Sequence, residues 1–290
     1  MKYASILSAL VLFACASSVP KETAFKSTSA AKIGASKTIV FVHGMFMTPA
    51  CWEGWVKFFE AKGYRVSAPP WPLHERPVVE QASHPDPDLS SLTLDRVLEF
   101  YRAEIRRLPE KPIVIGHSMG GLVAQILVSE GLAVGAVAID SAPPKGLISL
   151  KWSFLKSNWG AISPFASLDE PIQLSLEDFS YAFVNGLPEN LQKKYFDTFA
   201  VPESRRVGKG PTTETAVIDY SRARGPLLLV AGEMDHIIPS SLNWENYQEY
   251  ESTPGITSFR EFPGRNHFLI GDDRWNEIAQ YAARWIDENR

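Results

Sequence analysis

The chain has 290 residues, of which 45% are hydrophobic and 21% charged, with a formal net charge of −4. Roughly 270 residues would remain after loss of a leader, enough to bury one large core without cross-links, and the composition excludes a disordered chain, a collagen-like repeat or a coiled coil. The missing basic surplus argues against a nucleic-acid partner, and two cysteines make neither a disulfide framework nor a zinc cage.

Met1-Lys2-Tyr3 is a short positive start. An apolar run over 4–14 follows, then the small residues Ala14-Cys15-Ala16-Ser17-Ser18. That order predicts an export signal over 1–20 and a secreted or extracytoplasmic protein, because the run is too short to span a bilayer. A short apolar helix docked on the domain is the competing reading. Leu12-Phe13-Ala14-Cys15 also resembles a lipobox, which would anchor the chain to a membrane through a lipidated Cys15. Phe13 is unusual for its place in that pattern, and ordinary cleavage near Ala16 competes. Residues 21–36, rich in Ser, Ala, Lys and Thr without periodicity, read as a flexible linker. The remaining cysteine, Cys51, reads as a small buried packing residue.

From residue 37 the pattern changes. Thr38–Val42 is a continuous β-branched and apolar run, as in a strand covered on both faces. Further strands are expected over 64–68, 112–115, 134–139, 226–230 and 257–262. Helical spacing appears over 52–62, 91–108, 119–129 and 275–286, and the proline-rich stretch 69–87 is read as loop. Strands alternating with helices predict a mostly parallel sheet with helices on both faces, occupying 37–290. Between residues 141 and 225 lies an aromatic-rich insertion, helical at least over 176–184 and 189–199. It reads as a helical lid over about 145–222, inserted before the next strand, with most of its aromatics packing and a few lining a pocket.

The most specific motif is Gly116-His117-Ser118-Met119-Gly120-Gly121, set between a buried strand and a helix. This is the context of a nucleophile elbow. The turn is tight enough to require small residues two before and two after the serine, which Gly116 and Gly120 supply. Serine needs a base, and the base needs an orienting carboxylate. His267 follows the last strand, and Asp235 follows the strand over 226–230. The chain order Ser118, Asp235, His267 is the one this architecture requires. Asp140, which also ends a strand, is a rival acid or a turn cap. His236 reads as loop packing, and Glu233 and Asp272 as solvated or capping carboxylates. The backbone N–H groups of Met119 and Met45 are the candidate oxyanion donors. His43 reads as a residue that hydrogen-bonds its loop into shape.

With Val42-His43-Gly44-Met45, Gly232-Glu233-Met234-Asp235 and Gly264-Arg265-Asn266-His267, the chain resembles the serine-type α/β-hydrolases over about residues 38–289. Ala68-Pro69-Pro70-Trp71-Pro72 and Ala142-Pro143-Pro144-Lys145-Gly146 are similar to a microbial, esterase-like branch. The resemblance implies acyl transfer to water through an acyl-enzyme, with no cofactor or metal; the aromatic lid points to a small or medium apolar ester, and a lactone is the same chemistry on a cyclic ester. A serine disfavours the dehalogenase and epoxide hydrolase chemistry of relatives that use aspartate. A lyase using the triad without an acyl-enzyme, or a ligand receptor on the same fold, are the alternatives.

Overall fold

The computed structural model describes residues 19–26, 31–163 and 165–290. The export segment expected over 1–20 falls outside them except for its last two residues, and Cys15 lies outside them altogether.

Seven strands form one sheet: β1 Glu22–Lys26, β2 Thr38–Val42, β3 Arg65–Ser67, β4 Ile113–His117, β5 Gly135–Ile139, β6 Leu227–Gly232 and β7 Ile256–Phe262. Their spatial order is β1-β7-β6-β5-β4-β2-β3. All neighbours are parallel except β1, which pairs antiparallel with β7. Every residue of β2, β4, β5 and β6 is buried, as the unbroken apolar runs require when helices cover both faces. Strand β1 is a departure, because it falls inside the stretch expected to be a flexible arm. Glu22 accepts hydrogen bonds from Tyr281 and Arg260, which holds the strand on the sheet edge.

Among the described residues, ten α-helices accompany the sheet: α1 Glu53–Ala61, α2 Val78–Ser83, α3 Leu94–Arg106, α4 Met119–Ser129, α5 Trp152–Ile162, α6 Leu176–Ala182, α7 Glu189–Phe199, α8 Arg205–Gly208, α9 Ser240–Gln248 and α10 Trp275–Glu288. Helix α3 starts later than the spacing alone suggests, because Thr93 caps it by accepting the Arg96 N–H. It buries Leu94, Val97, Leu98, Tyr101 and Ile105. A short helix, α2, interrupts the proline-rich stretch expected to be loop. Helices α5 to α8 form the insertion between β5 and β6.

The sheet order fixes where a ligand can bind. The chain runs from β2 outward to β3, then crosses back to place β4 on the other side of β2. The connections therefore leave in opposite directions from β2 and β4, opening a crevice at their carboxyl ends. The loops at those two ends are His43-Gly44-Met45 and the turn at Ser118.

Candidate active site

Ser118 sits between β4 and α4 with φ 56° and ψ −122°, a left-handed conformation that costs a non-glycine residue about 1–3 kcal/mol. Glycine makes the turn possible. A Cβ on Gly116 would lie 1.9 Å from the Gly120 carbonyl oxygen, and one on Gly120 would lie 2.2 Å from the Val42 carbonyl oxygen. Helix α4 thereby comes down against β2 and β4, and every one of its residues is buried. The Ser118 N–H donates to the Ile139 carbonyl at 2.9 Å, while its own carbonyl accepts from Gly121 and Ala142. Met119 opens the helix, so its N–H is one of the amides that no intrahelical carbonyl can satisfy.

The loop after β2 touches the serine. A Cβ on Gly44 would stand 2.8 Å from the Ser118 Cβ, which brings the Met45 turn alongside the nucleophile. His43 holds this loop in shape. Its Nδ1 lies 2.9 Å from the Gly44 carbonyl, and its Nε2 accepts the Trp71 N–H at 3.1 Å. Those partners define a neutral ring protonated on Nδ1. Burial, with His74 nearby, pushes its pKa well below the usual histidine value. Phe46, next in the loop, has φ 63°.

Asp235 and His267 come from the loops after β6 and β7. His267 Nδ1 is 2.7 Å from Asp235 Oδ2, and both side chains are fully buried. The other carboxylate oxygen, Oδ1, accepts the N–H groups of Ile237 and Ile238 at 2.7 and 2.9 Å. The two loops are knitted together: Met234 N–H donates to the Arg265 carbonyl, and Gly264 N–H to Glu233 Oε2. Burial pushes His267 down to about 3, so the imidazole is neutral at rest. Its Nε2 has no hydrogen-bond partner among the described residues. The ring of His117, next to the serine, lies 4.6 Å from that of His267 between centroids, and His117 Nε2 donates to the His267 carbonyl at 2.8 Å. Ser118, His267 and Asp235 thus all stand in loops at the carboxyl end of the sheet.

Asp140, at the end of β5 with φ 42°, is buried behind this pair. Its Oδ1 accepts the Gly232 N–H at 2.7 Å, and its Oδ2 meets no donor among the described residues. Burial and the adjacent Asp235 push its pKa well above the carboxylate range. Burial raises Asp235 as well, opposed by the Ile238 and Ile237 amides. With two amides and the imidazole N–H donating to Asp235, against one amide for Asp140, the proton the pair shares belongs on Asp140. His117, Asp140 and His267 have potential ligating atoms within 4.8 Å of one another. Of their atoms, His117 Nε2 and His267 Nδ1 are committed to the His267 carbonyl and to Asp235, while His117 Nδ1, His267 Nε2 and Asp140 Oδ2 have no hydrogen-bond partner among the described residues.

The insertion between β5 and β6 touches the loops around Ser118 and His267. Val201 N–H donates to the Phe46 carbonyl at 3.1 Å, and Phe268 N–H to the Phe183 carbonyl at 3.0 Å. The Phe183 ring stands edge-on to His267 at 5.2 Å and to Phe46 at 6.2 Å. Only 8% of Ser118 is exposed. A buried ion pair 3.2 Å long joins His74 of the proline-rich stretch to Glu203 of the insertion, and the His74 ring lies 5.8 Å from that of His43. Neither Phe183 nor the His74–Glu203 pair carries a signal in the sequence, because each contact joins segments distant in the chain. Of the other sequence candidates, His236 is packed on Tyr181. Asp272 caps the turn before α10 and pairs with Arg265.

Residues 39–281 match the model of the alpha/beta hydrolase family, and the chain belongs to that family. Among solved structures it is similar to a monoacylglycerol lipase from Paleococcus ferrophilus, with 19% identity and TM-score 0.62 over 93% of this chain and 98% of that one. It is also similar to a pyrethroid hydrolase from Sphingobium faniae JZ-2, with 18% identity and TM-score 0.62 over 87% and 98%. A methylesterase from Arabidopsis has 15% identity and TM-score 0.59 over 86% and 98%. No curated protein matches the sequence.

Proposed function

We propose that this chain is a serine hydrolase of carboxylic esters, exported by its N-terminal segment and acting on small to medium apolar substrates, lactones included. The observation that carries the proposal is the strained Ser118 at the crevice, beside a neutral His267 whose Nδ1 is held 2.7 Å from Asp235. His267 Nε2, uncommitted among the described residues, takes the proton as Ser118 Oγ attacks the ester carbonyl. Asp235 stabilises the imidazolium that results. The N–H groups of Met119 and Met45 receive the oxyanion. The imidazolium returns its proton to the leaving alcohol, and water attacks the acyl-enzyme with His267 again as base. Phe183, Phe46 and Met45 supply apolar walls, which favours an apolar acyl or alcohol part. In this reading the inserted helices act as a lid that excludes water.

The test is hydrolysis of nitrophenyl esters of graded acyl length, with several lactones, by the wild-type chain and Ser118→Ala. Turnover that disappears in the variant while the fold stays intact supports acyl transfer on Ser118. If folded wild-type protein turns over none of them and a fluorophosphonate fails to label Ser118, the reading is wrong. Labelling without turnover points instead to lyase chemistry.

A further inference from the structure

We propose that the outward surface of residues 148–165 is a docking face for an anionic lipid–water interface. Among the described residues, most of the exposed large apolar side chains crowd into this stretch: Phe165 is 90% exposed, Leu150 82%, Trp152 74%, Ile148 62% and Trp159 55%. An ordinary surface scatters such residues singly; a contiguous set marks a contact. Helix α5 buries Phe154 and Ala161 and turns Trp152, Lys156, Trp159 and Gly160 outward, at the spacing of a single helical face. The face presented to water is therefore the tryptophan-bearing one, the reverse of a normal amphipathic surface helix.

The charge pattern selects the partner. Between Asp140 and Asp169 the chain has no acidic residue but has Lys145, Lys151 and Lys156, in a protein whose net charge is −4. Lys145 is paired with Glu214. The Lys156 ammonium lies 3.7 Å above the Tyr181 ring, and Lys151 stands exposed between Leu150 and Trp152. Tryptophan and aliphatic side chains interleaved with lysine match a headgroup region, where indoles sit at the boundary and ammonium groups meet lipid phosphates. A second copy of this chain would oppose lysines to lysines. The described chain enters at Val19, which with Pro20 and Lys21 shares a surface groove with Lys151. A lipid attached at Cys15 would hold this same face to the membrane. The inner side of α5 reaches the acid loop, since Asn158 donates to the Ile237 carbonyl at 2.9 Å. A bilayer on the outer side would stand about one helix diameter, ~10 Å, from that loop. Docking does not depend on what Ser118 does.

The test is co-sedimentation of the full chain with vesicles of phosphatidylcholine alone and of equimolar phosphatidylcholine and phosphatidylglycerol, alongside tryptophan emission. Expected is binding to the mixed vesicles that weakens with salt and shifts emission to the blue, with Ser118→Ala indistinguishable from wild type. The combined variant Leu150→Ser, Trp152→Ser, Trp159→Ser, all at exposed positions, should partition about a hundredfold more weakly with an unchanged melting temperature. The pair Lys151→Gln, Lys156→Gln should lose about thirtyfold on the anionic vesicles. Wild type left in the supernatant overturns the proposal. So does binding by the Leu150→Ser, Trp152→Ser, Trp159→Ser variant that equals that of wild type, or a dimer in sedimentation velocity that this triple variant dissociates.

Discussion

Replacing Asp140 by asparagine separates two roles that its position allows. Its carboxyl is buried with one oxygen on the Gly232 N–H, and burial and the charge of Asp235 raise its pKa well above the usual value. An unfolded aspartate titrates near 4. Above that pH the folded chain keeps a proton that the unfolded chain has released, so wild-type stability falls as pH rises toward the folded pKa. The fall is about 1.4 kcal/mol per pH unit over that range. Asparagine has nothing to titrate. Its carbonyl keeps the Gly232 bond, and its amide faces Asp235 as the acid O–H does. The second amide hydrogen lacks an acceptor, which costs about 1–2 kcal/mol. Asp140→Asn should therefore be less stable than wild type near pH 4, by about 1–2 kcal/mol, and gain on wild type as pH rises toward the folded pKa. Urea unfolding at several pH values, followed by tryptophan fluorescence, reads this directly. Equal destabilisation at every pH would mean that Asp140 is ionised in the native state and the argument fails. Turnover gives the second readout: Asp140→Asn should stay within a few-fold of wild type, while Asp235→Asn falls by about 10⁴. The reverse ranking would move the orienting acid to β5.

Gly116→Ala should cost at least about 3 kcal/mol, because its Cβ would lie 1.9 Å from the Gly120 carbonyl oxygen; an unaltered thermal melt would show that α4 can lift off the strand. Glu203→Gln, which leaves His74 without its buried counter-charge, should lower stability by about 3–5 kcal/mol. Burial pushes His74 down, but the charge and hydrogen bond of Glu203 outweigh it and raise the pKa. That stabilisation is complete below about pH 6.5 and is lost as pH rises through the raised value; melts across this range should show the loss in wild type and not in the variant. Burial also pushes the Cys51 thiol far above its ordinary value, so a disulfide reagent should label it only after denaturant is added. Rapid labelling of native protein would contradict its burial.

The elements legible in the sequence are those whose cause is local. Strands β2, β4, β5 and β6 announce themselves as mostly apolar runs, and α4 and α7 occupy the residues their patterns give. The glycines around Ser118 reveal the elbow because only they permit it. Strand β1 was illegible because Glu22–Lys26 mixes charged and apolar residues, and its partner β7 lies at the far end of the chain. Helix α9 carries no apolar stripe and buries Asn243 and Asn246 along with Leu242 and Tyr247, so its pattern reads as polar loop. In the site, the elbow motif, the positions after β6 and β7 and the chain order point to Ser118, Asp235 and His267. The proximity of Asp140 to Asp235 and of Phe183 to His267 arises from the sheet order and the inserted helices, which no local pattern encodes.

The contacts near the two ends of the described chain carry a separate consequence. Ile33 N–H donates to the Asn289 carbonyl at 2.9 Å, and the Arg290 guanidinium reaches the carbonyls of Gly34 and Ser36. The domain from residue 31 to 290 is thus almost a closed ring, with one short gap. Joining ends that already touch adds little loop entropy. A chain in which Arg290 runs through a few glycines into Ala31, reopened at an exposed turn elsewhere, lacks β1 but should thread the six strands β2 to β7 in the same spatial order.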